Sequence, residues 1–181
     1  MAALAHRGPD GQQAWHDDRC FLGHRRLAII DLTERAMEPL PNEDRTVWLT
    51  FNGEIYNFVS LRKELEALGH VFGSRTDAEV VVHGYEQWGP DVVTHLRGMF
   101  AFALWDQKLK KLVIARDRVG KKPLFYCELG GEFFFASEIH ALLEFSSVPH
   151  DVDTDAIDAY LTWWYVPAPA SGFRAIKKVP P

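Results

Sequence analysis

With 181 residues, 47% of them hydrophobic and 25% charged, the chain is long enough and apolar enough to bury a core without disulfide or metal staples. The net charge of −5 argues against a nucleic-acid footprint, which would show clustered Lys and Arg, and there is no long apolar run or signal-type leader. The two cysteines form no CxxC pair and the eight histidines show no HxxxH or HExxH spacing, so no disulfide framework and no metal site is expected.

In chain order, residues 20–32, "CFLGHRRLAIIDL", near-alternate large apolar and polar side chains and are expected to form a strand. A second strand, 46–51, runs into Asn52-Gly53, the strongest short-range signal for a tight hairpin turn. Residues 58–70 carry Phe58, Leu61, Leu65 and Leu68 at helical spacing with Gly69 as a stop. Residues 76–89 open on Thr76-x-x-Glu79, a capping box, and close on Gly89; a short helix follows over 91–96. Four strands are then predicted over 99–105, 111–115, 123–127 and 132–136, separated by polar or glycine-rich turns. Ser137 is placed to cap a helix in "EIHALLEF", and another helix is expected over 153–164 before a Pro-rich stretch. Strands and helices are segregated, which predicts an α+β domain with mostly antiparallel sheet.

Three places carry candidate chemistry, each with a structural alternative. The side-chain amide of Asn52 and the backbone N–H of Gly53 can converge as two oxyanion donors, or the pair can be a turn for backbone reasons alone. In "HRR", alternation sets Arg26 opposite Arg25, so one guanidinium faces apolar neighbours and needs an anion, either a substrate carboxylate or a protein acid. Asp77 sits where a helix dipole stabilises a carboxylate, and the same group can receive an ammonium. Arg26 and Asp77 together would clamp an α-amino acid.

Taken in order, "HRGPDG", "LGHRRLAIIDL", "FNGEIYN", "RTDAEVVVHGYEQWG", "LRGMFAFALWD", "ARDRVGKKPLFY", "FASEIHALL" and "YVPAP" resemble the class II glutamine amidotransferase domain of glutamine-hydrolysing asparagine synthetases, over essentially the whole chain. The resemblance implies an Ntn-hydrolase-like four-layer αββα sandwich. It implies a domain over residues 1–152 and, over 153–181, a helix and Pro-rich linker leading toward a synthetase domain. Arg26 matches the residue that grips the glutamine α-carboxylate, with Leu27, Ala28, Ile29 and Ile30 lining the pocket. Asn52 and Gly53 match the oxyanion pair, and Glu54 and Asp77 the ammonium site; "HRGPDG" and "RDRVGKK" are read as structural or interdomain.

The implied reaction is attack of an N-terminal cysteine thiolate on the glutamine amide, with its own α-amine as base, releasing ammonia for ATP-dependent amidation of aspartate. The domain itself needs no cofactor; ATP and Mg²⁺ belong to the synthetase half. Two features depart from the pattern. The chain opens Met-Ala-Ala-Leu, without the cysteine segment, and neither Cys20 nor Cys127 can supply an α-amine, so it is expected to be inactive as it stands. In "RAMEPL" (35–40) the family commonly has Gly and Gln ahead of the proline. Expected partners are L-glutamine and a synthetase domain of the same polypeptide, with a homodimer open and no nucleic acid or membrane, in the cytoplasm. Two alternatives stand: a relative that amidates a sugar or another acid, and a non-catalytic glutamine- or partner-binding fragment.

Overall fold

A computed structural model describes residues 1–27 and 36–181. After a 3-10 turn (Ala2–Arg7) come β1 (Gly11–His16), β2 (Phe21–Arg26), β3 (Leu40–Pro41) and β4 (Val47–Ile55). Helices α1 (Phe58–Ala67), α2 (Glu79–Trp88) and α3 (Val92–His95) follow, then β5 (Gly98–Asp106), β6 (Lys111–Arg116), β7 (Phe125–Leu129) and β8 (Glu132–Ala136). The chain closes with α4 (Ile139–Leu143), α5 (Thr154–Trp163) and β9 (Lys177–Lys178). All named strand pairings are antiparallel, in sheets ordered β1-β2, β3-β4-β5-β6 and β8-β7-β9.

The layers follow from period-2 alternation. On β4 and β5, Val47, Leu49, Phe51, Ile55, Phe100, Phe102 and Leu104 face one way and pack on Leu61, Leu65 and the valines of α2. The opposite face carries Trp48, Ala101, Ala103 and Trp105, which meet Leu22 of β2 and Phe135 of β8. The far side of β7–β8 packs on Leu142 of α4 through Cys127 and Phe134. The order is helix, sheet, sheet, helix, the four layers the resemblance implies. Each large side chain buried this way contributes about 1.5–3 kcal/mol, so the two central interfaces dominate cohesion.

Several boundaries differ from the sequence reading. Asn52-Gly53 makes no hairpin turn: both residues lie within β4, opposite Ala101 and Phe100. Gly53 is there because β5 comes so close that a Cβ would meet the Met99 carbonyl oxygen at 2.3 Å and the Phe100 Cα at 2.7 Å. The Thr76–Glu79 capping box does not form either. Glu79 turns back instead to accept from the backbone N–H groups of Gly73 (2.6 Å) and Ser74 (2.9 Å). Nor does Ser137 cap α4, whose N-cap is Glu138; Asp153 does cap α5, accepting from the N–H groups of Asp155 and Ala156. Strand β1 was not anticipated, because "GQQAWH" offers few apolar residues to alternate. Of the strand expected over 20–32, residues 21–26 are strand and 28–35 lie outside the described residues.

"HRGPDG" and "RDRVGKK" are built into the frame. Arg7 pairs with Glu138 at 2.9 Å. Asp117 accepts from the N–H groups of Lys121 and Lys122, while Arg116 donates to the carbonyls of Lys122 and Val179.

Gly53→Ala is expected to force β4 and β5 apart at a cost of about 1–3 kcal/mol. Gly73→Ala, where the nearest atom is a carboxylate oxygen 3.7 Å away, is expected to be close to neutral. Denaturant midpoints of the two variants check the contrast.

Candidate active site

The two central sheets diverge around a cavity of about 1040 Å³ that reaches the β3 edge of β4. Its walls include Arg26, Leu27, Asn52, Gly53, Glu54 and Asp77, so every sequence-predicted site residue among the described ones lines a single space. Ala28, Ile29 and Ile30 lie outside the described residues.

Strand register explains the convergence. Phe100 donates its N–H to Asp117 Oδ2 and accepts from the Asp117 N–H on the β6 side, so opposite Gly53 it bonds outward rather than to β4. The amides of Phe51 and Ile55 also point away from β5: Phe51 N–H donates to Glu38 Oε2 at 2.5 Å and Ile55 N–H to Asp77 Oδ2 at 2.7 Å. By alternation the Gly53 N–H shares that edge, between the two carboxyl groups. The side chains of Asn52 and Glu54 project from the face that carries Trp48 and Thr50, toward the second sheet. A side-chain amide and a backbone N–H thus border one cavity, the requirement for a two-donor oxyanion site.

Arg26 closes β2 on the face it shares with Leu22 and His24, and is only 9% exposed; its backbone is pinned by pairing with Gly11. Arg25, on the opposite face, donates to Gln12 Oε1 at 2.8 Å. Asp77, 4% exposed, precedes α2. Its carboxyl is pushed up chiefly by burial, with the Ile55 N–H pulling the other way and the nearby Glu54 charge adding to the rise. A buried carboxylate in that condition favours a cation beside it. The cavity therefore has a cationic pole at Arg26 and an acidic pole at Glu54 and Asp77.

Two lining groups were missed. His24 is driven down to about 4 by burial and by the Arg26 charge, so it is neutral at pH 7. Its 3.7 Å approach to Glu38 is therefore not an ion pair. Glu38 is nearly buried, and its carboxyl is raised well above the ordinary range by burial, with Asp77 adding to the rise and the Phe51 N–H and Arg26 opposing it. A buried unpaired carboxylate costs several kcal/mol, more than one N–H bond recovers, so the group keeps its proton into a higher pH range. "RAMEPL" drew attention to this position only as a departure from a pattern; its burial between Arg26 and Asp77 comes from the fold.

The thiols are poorly placed for attack. Cys127 is completely buried. The Cys20 thiol is raised to about 11 by burial and the Asp17 charge, which disfavours the thiolate.

A family model described as a glutamine amidotransferase domain matches residues 1–181. The chain belongs to the glutamine amidotransferase family. It is 40% identical over 178 residues to asparagine synthetase [glutamine-hydrolyzing] 1 of Bacillus subtilis, covering 98% of this chain and 28% of that protein. It is 43% identical over 169 residues to asparagine synthetase [glutamine-hydrolyzing] 2 of Arabidopsis thaliana, covering 91% and 29%. The chain thus spans under a third of the length of these relatives. Among solved structures, glutamine phosphoribosylpyrophosphate amidotransferase from B. subtilis superposes with a TM-score of 0.56 and 25% identity over 66% of this chain and 28% of that one. That match supports the Ntn-hydrolase-like fold. Among the described residues, no helix is long and apolar enough to cross a membrane.

A carboxyl whose folded pKa is raised stabilises the protein fully below its unfolded pKa, and loses that contribution as pH rises through the folded value. The Glu38 contribution is therefore expected to be lost as pH rises from about 4.5, so the stability of the native protein relative to Glu38→Gln, which keeps an acceptor for the Phe51 N–H, should decline over that range. Thermal melts of both proteins across that pH range decide it; parallel curves would contradict the assignment.

Proposed function

We propose that this chain is the glutamine-binding and hydrolysing unit of a glutamine-dependent asparagine synthetase. The observation that carries the reading is the placement of Arg26, Asn52, Gly53, Glu54 and Asp77 around one cavity with opposite charge at its two ends. A glutamine α-carboxylate lies against Arg26 and its α-ammonium against Glu54 and Asp77. The side-chain amide carbon then falls near the β4 edge, where Asn52 Nδ2 and the Gly53 N–H receive the oxyanion formed on attack. Losing either donor costs about 10²–10³ in rate. The attacking thiolate belongs to a free N-terminal cysteine whose α-amine serves as base, a role that Cys20 and Cys127 do not fill.

The released ammonia passes to a synthetase domain that activates aspartate with ATP and Mg²⁺; this domain itself takes no cofactor. The surface of α5 and the residues after it suits a contact with that domain. Leu161, Trp163, Trp164 and Tyr165 are 59–84% exposed, an apolar group too large for an ordinary solvated surface. A reducing cytoplasm fits the absence of cystine pairing, both cysteines being free.

Calorimetric titration is expected to show L-glutamine binding to the 181-residue chain. Arg26→Gln and Asp77→Asn should each weaken it about tenfold or more, the size of one charge-assisted hydrogen bond. No ammonia release is expected from the same protein, before or after Cys20→Ser. Equal affinity in native and Asp77→Asn proteins would sink the clamp, and ammonia release abolished by Cys20→Ser would show that thiol to be the nucleophile.

A further inference from the structure

On the helix side of the molecule, away from the cavity, four donors from three separate segments meet. Glu43 lies in the turn between β3 and β4, His70 just past α1, and His83 and Glu86 on successive turns of α2. One ligand atom of each lies within 4.8 Å of all the others. His83 Nδ1 is 3.2 Å from Glu86 Oε2 and 3.3 Å from Glu43 Oε2, and His70 Nδ1 is 3.6 Å and 3.8 Å from Glu43 and Glu86 oxygens. Ligands bonded tetrahedrally to zinc at about 2.0–2.1 Å stand about 3.3 Å apart, so the His83 contacts already match that spacing and a modest contraction of the group would let all four share one ion. We propose that Glu43, His70, His83 and Glu86 form a binding site for a divalent transition-metal ion, zinc above all.

Groups that do not themselves touch the ion fix each ligand. Asn42 Nδ2 donates to the other oxygen of Glu86 at 2.6 Å, and the Val71 N–H donates to Glu43 Oε1 at 3.0 Å. Glu79 faces His83 Nε2 from 3.6 Å, leaving Nδ1 toward the other three donors. Glu79 is itself held by Gly73 and by the Ser74 hydroxyl (2.6 Å). A carboxylate behind a metal-binding imidazole fixes its tautomer and orientation. His70 reaches the cluster because α1 ends in a Schellman turn. With Gly69 at φ +103°, the N–H groups of Gly69 and His70 bond back to Glu66 and Leu65 at 3.1 Å.

The charge balance points the same way. Glu43, Glu79 and Glu86 surround two imidazoles, an excess of negative charge that a divalent cation neutralises. Two imidazole nitrogens with two carboxylate oxygens suit zinc better than calcium or magnesium, which prefer all-oxygen sets. Side-chain exposure rises from 1% at His83 through 15% at His70 and 25% at Glu86 to 37% at Glu43, so an ion can enter from solvent. The sequence showed no zinc spacing because His70 and His83 belong to different elements.

Zinc titration of chelator-treated 181-residue chain, by competition with a chromophoric chelator, is expected to give one tight equivalent. Co²⁺ should give the intense visible absorption of a four-coordinate ion. His70→Ala and Glu43→Gln, both at partly open positions, should weaken zinc about tenfold or more with unchanged circular dichroism, and Glu79→Gln by about 10–100-fold. His140→Ala, in the exposed His6–Glu138–His140 group, should change nothing. No binding at 100-fold excess over protein, or binding altered by His140→Ala and untouched by His70→Ala, would overturn the site.

Discussion

The close approach of β4 and β5 at Gly53 is the constraint on which the site depends. With the Met99 carbonyl oxygen 2.3 Å from where a Cβ would stand, only glycine keeps the two strands paired through the full nine residues of β4. That pairing fixes the pleat, and the pleat sends Phe51 and Ile55 into the helical layer while Asn52 and Glu54 face the second sheet. It also fixes which amides leave the sheet at its edge. A slip of one residue would exchange the two faces, burying the polar pair among the valines of α2 and placing phenylalanines in the cavity. Core and site therefore share one register.

Around that frame the electrostatics divide by solvation. Arg26 and Asp77 are both nearly buried and stand on elements from different layers, so both poles sit in a less hydrated setting than a surface residue would. In the proposed function, a zwitterion laid between them would replace lost hydration at both ends at once. Glu38 behaves differently: nearly buried between the poles, it is pushed by burial toward the neutral form, which lessens the cost of a buried charge. The edge of β4 thus presents the Gly53 amide between a carboxyl that stays neutral more readily and one that a cation would favour as a carboxylate.

Much of this was legible from residue patterns. Helical spacing located α1 and α2, and alternation located β5, β6 and β8, because amphipathic period is a local property of the chain. Arg26, Asn52, Gly53, Glu54 and Asp77 were nameable once eight motifs were read in order. The reading of Asn52-Gly53 as a turn failed for a physical reason. The dipeptide tolerates positive φ, but glycine is equally required where two backbones nearly touch, and sequence does not distinguish the two needs. Thr76–Glu79 failed similarly: an acid three residues after a threonine can cap a helix, yet the N–H groups of Gly73 and Ser74 offered Glu79 a better-enclosed set of donors.

What the sequence by itself determined was the helices and longer strands, the segregated α+β class and the family, all carried by local period and by motif order. The tertiary structure decided which side chains meet. Glu38 reaches β4 from a segment thirteen residues away and Asp77 from one twenty-two residues beyond it. Glu43, His70, His83 and Glu86 gather across three elements. Convergence of this kind depends on strand register and on how a helix end redirects the chain, and neither is written in the spacing of the residues that come together.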